Sequence, residues 1–214
     1  MMKSNEVLLR VFGQEACFAR PELKVEAVTY EAMTPTAARA ILESIYWKPE
    51  IKWVIDGIHV LKKINHRSQM TNGLRSVINL RSFMGGNQPY IDITKDRDRY
   101  NSTILTNVDY VIKAHFEIVS GTDNAKKHLA MFLRRASRGQ YFKKPFFGRR
   151  DYIIKGFEPV HQVPSSEISG TLNLGYMLHS INYSTNRPAF FEAKMVDGFI
   201  RVPPADSMEV KHDA

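Results

Sequence analysis

Residues 33–49 read MTPTAARAILESIYWKP, and the rest of the chain is interpreted outward from this stretch. The Thr34 hydroxyl can accept from an orphan backbone N–H two or three residues on, which caps a helix. Pro35 follows at the first helical position, where its missing N–H would have no intrahelical partner anyway. Ala37, Ala38, Ile41, Leu42 and Ile45 then share one face, the spacing of a helix packed on a sheet. Pro49 disfavours helical geometry at Lys48 and ends the run. Tyr46 falls in the last turn at the edge of the apolar face, where its ring is expected to pack and its hydroxyl to reach solvent.

On the N-terminal side, Glu6–Gly13 carries apolar residues on both faces and reads as a central strand. A loop and an extended run at Val25–Tyr30 lead into the helix. Beyond it, Ile51, Trp53 and Ile55 alternate with Lys52, Val54 and Asp56, and Gly57 marks a bulge where the alternation slips. Residues from about 62 to 106 are polar and hold no long period, so they read as an insertion containing a hairpin or irregular loop. In Asn107–Val119, Ile112, Ala114, Phe116 and Ile118 face one way, while Val111, Lys113, His115 and Glu117 face the other.

A second helix runs from about Asn124 to Arg138, with Thr122 or Asp123 as cap and Gly139 as stop. Ala125, Leu129, Phe132, Leu133 and Ala136 form its expected core face. His128 lies at the border, and Lys127, Arg134, Arg135 and Arg138 on the far side. Tyr152–Glu158 reads as a further strand. This order predicts an α+β, ferredoxin-like (RRM-like) βαββαβ domain over residues 1–158, with the insertion at about 62–106. Leu172–Ile181, Ala189–Val196 and Phe199–Val202 predict a small antiparallel β-sheet appendage over 159–214, packed on that domain.

Composition narrows the setting. A chain of 214 residues, 43% hydrophobic and 24% charged, can bury a core of its own. Its single cysteine, Cys17, excludes an internal disulfide and suits a reducing compartment. Glu6 and Arg10 interrupt the first apolar run, which is therefore no signal peptide, and no run has the length of a membrane span. A cytoplasmic protein without a membrane partner is the expectation.

Charge is more telling. Between Lys126 and Lys155 stand ten Lys or Arg residues against one acid, Asp151, a local balance of +9, so the other 184 residues sum to about −1. One surface carries the excess, which points to a polyanion. The interleaved rings of Phe132, Tyr141, Phe142, Phe146, Phe147 and Tyr152 suit unpaired bases stacked beside cations. Arg134, Arg135, Arg138, Lys143, Lys144, Arg149 and Arg150 are the candidate RNA contacts.

The seven histidines show no helical i, i+4 pair, and neither a phosphate-binding glycine loop nor a hydrolase nucleophile motif occurs. No metal and no cofactor is expected. An enzyme with this inventory would work with Tyr, Lys and His. One candidate group on the strand is Lys113, His115 and Glu117, which share a sheet face.

Three segments resemble one family. LLRVFGQEACFARPELKVEAVTYEAMTPTAARAILESIYWKPEIKWVIDGIHVL, RRASRGQYFKKPFFGRRDY and LGYMLHSINYSTNRPAFFEAKMVDGFIRVP are similar to the N-terminal block, the central basic loop and the closing segment of the precursor-RNA-processing nucleases of the type I-C CRISPR interference complex (the d subtype of the fifth Cas family). The resemblance implies a metal-independent endoribonuclease that cuts CRISPR repeat hairpins and stays bound to the 5′ handle of the mature guide RNA, beside the other subunits of the complex. It also implies an active site made of a tyrosine ending the first helix and a Lys-His pair opening the second, which fall here on Tyr46 and on Lys127 and His128. A helix N-terminus with free N–H groups is a ready phosphate site for such chemistry. A handle-binding subunit that does not cut is the alternative within the same setting. A DNA-binding regulator lacks a helix-turn-helix signature here.

Overall fold

The helix signalled by Thr34 and Pro35 forms as α1 (Pro35–Ile45), and the Thr34 side chain accepts from the Ala37 N–H. The computed structural model describes residues 4–23, 25–77, 80–86, 90–119, 124–185 and 187–212. Ala38, Ile41, Leu42 and Ile45 bury the inner face of α1, which lies over β2 (Ile51–Val60) and β6 (Thr171–Asn182). The remaining strands are β1 (Val7–Ala16), β3 (His66–Leu74), β4 (Arg97–Ile118), β5 (Gly156–Pro159), β7 (Arg187–Val196), β8 (Phe199–Arg201) and β9 (Val210–His212). Two short helices, α2 (Leu80–Met84) and α3 (Ile93–Asp96), precede β4, and α4 (Ala125–Ser137) follows it.

The fold is mixed α/β on one large antiparallel sheet. Its order is β5-β1-β4-β2-β8-β7-β6, with β3 on β4 and β9 on β7. Alternation along β1, β2 and β4 turns Leu9, Val11, Trp53, Ile55, Ala114 and Phe116 toward the helices, where they are buried. The bulge at Gly57 is present: the β2–β4 register shifts between Ile55 and Gly57. Trp53 joins the layers, its ring centroid 5.3 Å from Phe116 on the sheet and 4.8 Å from Phe132 on α4.

Several elements depart from the sequence reading. The polar stretch at 62–106 contains the expected hairpin, but β4, expected from Asn107, already begins inside it, at Arg97. Residues 97–105 pair with β3, and the continuation of the same strand pairs with β1 and β2. Asn107 joins the two parts at φ 54, a left-handed geometry that asparagine tolerates. Because β3 and much of this arm are exposed, neither face shows the alternation that would betray a strand. β5 is shorter and later than Tyr152–Glu158, because residues 146–154 fold back on themselves through Phe147 N–H to Tyr152 O at 2.7 Å.

The C-terminal strands form no separate layer. β8 pairs with β2 through Gly57–His59, so β6 to β9 extend the central sheet and cover what would be its open edge. At α4 the cap is Asn124, whose side chain accepts from Lys126 N–H; the alternative caps Thr122 and Asp123 lie outside the described residues. The helix stops at Gly139 in a Schellman turn: Gln140 N–H donates to Arg135 O and Gly139 N–H to Ala136 O, with Gly139 at φ 63. Leu133, expected in the core, is 37% exposed. The buried stripe of α4 runs instead through His128, Phe132 and Ala136. Among the described residues no helix is long and apolar enough to cross a membrane.

Candidate active site

Tyr46 is the C-cap of α1, with extended backbone at φ −149 and ψ 115. Its N–H still donates to Leu42 O at 2.9 Å, and its carbonyl accepts the Trp53 indole N–H at 3.0 Å. The backbone is thus held from the helix on one side and the sheet on the other. With the chain leaving the helix here, the side chain turns under α4. The expectation of a solvent-facing hydroxyl fails: Tyr46 is 4% exposed, and its hydroxyl lies 2.8 Å from His128 Nδ1.

His128 closes the first turn of α4, and it too is buried, at 3% exposure. The edge of Phe116 packs on its ring at 6.2 Å. The burial comes from the direction of the helix stripe, since His128, Phe132 and Ala136 are four residues apart and stack on one side. A neutral imidazole with Nδ1 unprotonated accepts from the phenol, and the other tautomer donates to it. In either form, one hydrogen bond links two proton-transfer groups 82 residues apart in sequence. Lys127 sits one position earlier on the exposed side of the same turn.

Arg135, one of the expected RNA contacts, turns inward. Its guanidinium lies 5.2 Å from the centroid of the Tyr46 ring, and it donates to Ile45 O at 3.1 Å. It therefore clamps the end of α1 and the tyrosine together, and is half-buried in doing so. Arg134 and Arg138 are exposed on α4, and Lys143, Lys144 and Arg150 are exposed on the following loop. Arg149 is half-buried, donating to the Ser102 hydroxyl at 3.5 Å and to Asp151 at 3.2 Å.

The loop is pinned beside the site. Phe142 N–H and Lys143 N–H both donate to Ser44 O, at 2.8 and 3.2 Å, and Cys17 N–H donates to Phe147 O at 3.1 Å. Gly148 turns at φ 76, where a Cβ would meet Cys17 O at 2.0 Å, so only glycine fits. Of the rings expected to stack on bases, Phe132, Phe147 and Tyr152 are core residues, Phe146 is half-buried, and Tyr141 and Phe142 face solvent. Trp47, next to Tyr46, is 57% exposed and does not figure among the rings expected from the sequence; a tryptophan immediately past a packed helix is the signal that could have found it.

The group on β4 has carboxylate partners. His115 Nδ1 lies 2.8 Å from Asp56 Oδ2, and Lys113 Nζ lies 2.9 Å from Glu6 Oε2. The structure brings Tyr46 and His128 together, and places His115 on the sheet face turned away from the helices, among half-buried neighbours.

Known proteins match this chain along nearly its whole length. The family model described as CRISPR-associated protein (Cas_Cas5), subtype Cas5d, matches residues 6–203. A protein of Mannheimia succiniciproducens named CRISPR pre-crRNA endoribonuclease Cas5d is 41% identical, with 97% of this chain and 99% of that one covered. One of the same name from Thermus thermophilus is 29% identical, covering 94% of this chain and 93% of its own. Among solved structures, a CRISPR-associated protein superposes with a TM-score of 0.73 at 24% identity, over 99% of this chain and 98% of that one. A functionally uncharacterized protein from Streptococcus mutans gives 0.70 at 23% identity, over 99% of both chains. This chain belongs to the Cas5d family of CRISPR-associated proteins.

Proposed function

We propose that this protein is an endoribonuclease that cuts CRISPR repeat hairpins in precursor RNA, keeps the 5′ handle of the mature guide and serves as a subunit of the type I-C interference complex in the cytoplasm. The observation that carries the reading is the 2.8 Å hydrogen bond between Tyr46 and His128, in a chain 41% identical to a protein named for this activity. In this reading residues 1–158 are the RNA-processing unit and 159–214 a β region docked on it. Strand order β5-β1-β4-β2, with α1 and α4 as the two crossovers, supports a ferredoxin-like core.

The chemistry needs only what RNA brings. The ribose 2′-hydroxyl before the scissile phosphate is the nucleophile, so no metal is required to activate water. His128 or Tyr46 takes its proton, and O2′ attacks phosphorus. Lys127 and the positive end of the α4 dipole stabilise the phosphorane. The P–O5′ bond then breaks, and the leaving oxygen takes a proton from the other member of the pair. A 2′,3′-cyclic phosphate and a free 5′-hydroxyl result. Arg134, Arg138, Lys143, Lys144 and Arg150 hold phosphates, while Arg135 keeps Tyr46 in place.

The deep burial of Tyr46 and His128 favours a second reading, a handle-holding subunit in which the pair is structural. Single-turnover cleavage of a repeat hairpin in EDTA decides between them. The nuclease reading expects cutting that His128→Ala and Lys127→Ala abolish while binding persists; tight binding without cutting by the wild type establishes the alternative.

A further inference from the structure

Next to Tyr46, α1 and the basic loop enclose a groove of about 340 Å³, lined among others by Ile41, Ser44, Trp47, Phe142, Lys143 and Pro145. That volume lies in the range of about 300–1,000 Å³ common for sites that take a planar small molecule. Two features set it apart from ordinary surface. Trp47 is 57% exposed and Phe142 is 89% exposed, although large rings usually have a side to bury against. The groove is also rigidly framed, because the Phe142 and Lys143 amides are both bonded to Ser44 O at the end of α1.

We propose that this groove binds one unpaired nucleotide of the RNA flanking the hairpin, its base stacked on Trp47 and Phe142 and its phosphate on Lys143. The inference rests on the reading that the protein binds repeat RNA, and adds to it a subsite for a single-stranded base. Charge selects this occupant. Lys143 is in the groove wall, Lys144 is exposed beside it, and the segment from Lys126 to Lys155 carries the chain's whole cationic excess. Exposed rings interleaved with such cations are the platform on which single strands stack, with little regard to base identity. Glu43 also lines the groove and opposes a polyanion. Burial pushes its carboxyl above the ordinary range against the pull of Arg39.

The chain reports on this site by itself. Its two tryptophans are Trp47 and Trp53, and Trp53 is only 1% exposed, so a ligand that reaches an indole from solvent reaches Trp47. The full-length protein is titrated with a repeat hairpin carrying its unpaired flanks and with the same hairpin trimmed to the stem, with intrinsic fluorescence and affinity both read. The flanked hairpin should quench the emission, and Trp47→Phe should remove the change. Trp47→Ala and Phe142→Ala should weaken the flanked hairpin by about 5- to 150-fold and the trimmed one by less than about twofold. Unchanged melting of both variants shows that they fold. Equal losses on both hairpins, or binding of the flanked hairpin without quenching, overturns the subsite and leaves the nuclease reading standing. Quenching that appears only on adding the other complex subunits assigns the groove to a protein and overturns it too. Failure of the wild type to bind either hairpin overturns both readings.

Discussion

The hydrogen bond between Tyr46 and His128 can be isolated by a double-mutant cycle. Tyr46→Phe keeps the ring under Arg135 and removes only the hydroxyl, leaving His128 Nδ1 buried without that partner. Losing one side of a buried hydrogen bond costs about 1–3 kcal/mol. In a chain of this size 1 kcal/mol moves Tm by about 2–4 °C, so a fall of about 2–12 °C is expected. His128→Ala removes the same bond and also leaves a void beside Phe116, which raises its cost to about 2–4 kcal/mol. The double variant should then fall short of the summed single effects by about 1 kcal/mol or more, because the bond is counted twice in the sum. Urea unfolding of the four proteins measures stability, and single-turnover cutting of the hairpin measures rate. Each single variant should lower the rate by about 10²- to 10⁴-fold, and the double by little more than the worse single, as for groups acting as one unit. Stability effects that add to within about 0.3–0.5 kcal/mol would show that the two side chains are energetically independent and refute the pairing.

Other perturbations test neighbouring claims. A single deoxyribose before the scissile phosphate should abolish cutting and leave binding unchanged, as measured by gel assay and filter binding; cutting of that substrate would exclude 2′-hydroxyl attack. Arg134→Ala with Arg138→Ala should flatten the slope of log affinity against log salt by about 0.7–0.9 for each phosphate no longer neutralised, whereas Arg135→Ala should lower the cutting rate and leave the slope nearly intact. Gly148→Ala should cost about 2 kcal/mol or more by denaturant unfolding, since φ 76 and a 2.0 Å approach to Cys17 O both exclude a Cβ. Burial holds the His59 imidazole below its ordinary pKa, with Lys113 pushing the same way and Glu6 opposing. The unfolded chain therefore takes up that proton first as pH falls below about 6.5. This contribution to stability is complete above that pH and is lost as the pH drops toward the folded value. His59→Gln should flatten that part of the pH–stability curve.

What could be read in advance was whatever is local. Thr34, Pro35 and the apolar spacing to Ile45 specify α1 within a few turns, and the alternation of 112–118 specifies a half-covered strand. Gly57 and Gly139 mark a bulge and a helix end because their geometry is set by near neighbours. The candidate site was legible in its members and illegible in how they meet. A histidine at the border of a helix stripe can turn either way, and its burial here is decided by Tyr46 and Phe116, which come from distant segments. Arg135 looks like one more cation in a basic run until α1 supplies Ile45 O and the Tyr46 ring. Leu133 has apolar chemistry but lies too far round the helix to be covered. The arm of β3 and early β4 carries polar residues on exposed faces, so no periodicity could announce it.

The continuity of β4 limits how this protein can vary. One backbone runs from Arg97 in the arm to Ile118 in the core, and Phe116 near its end packs on His128. Side chains alternate along it, so gaining or losing one residue near Asn107 would swap inner and outer faces all the way to one terminus of the strand. Changes of length are absorbed without that exchange at the far tip, where α2 and α3 lie between the paired parts of β3 and β4. The reach of the arm can therefore change without disturbing the register that aims Phe116 at the histidine.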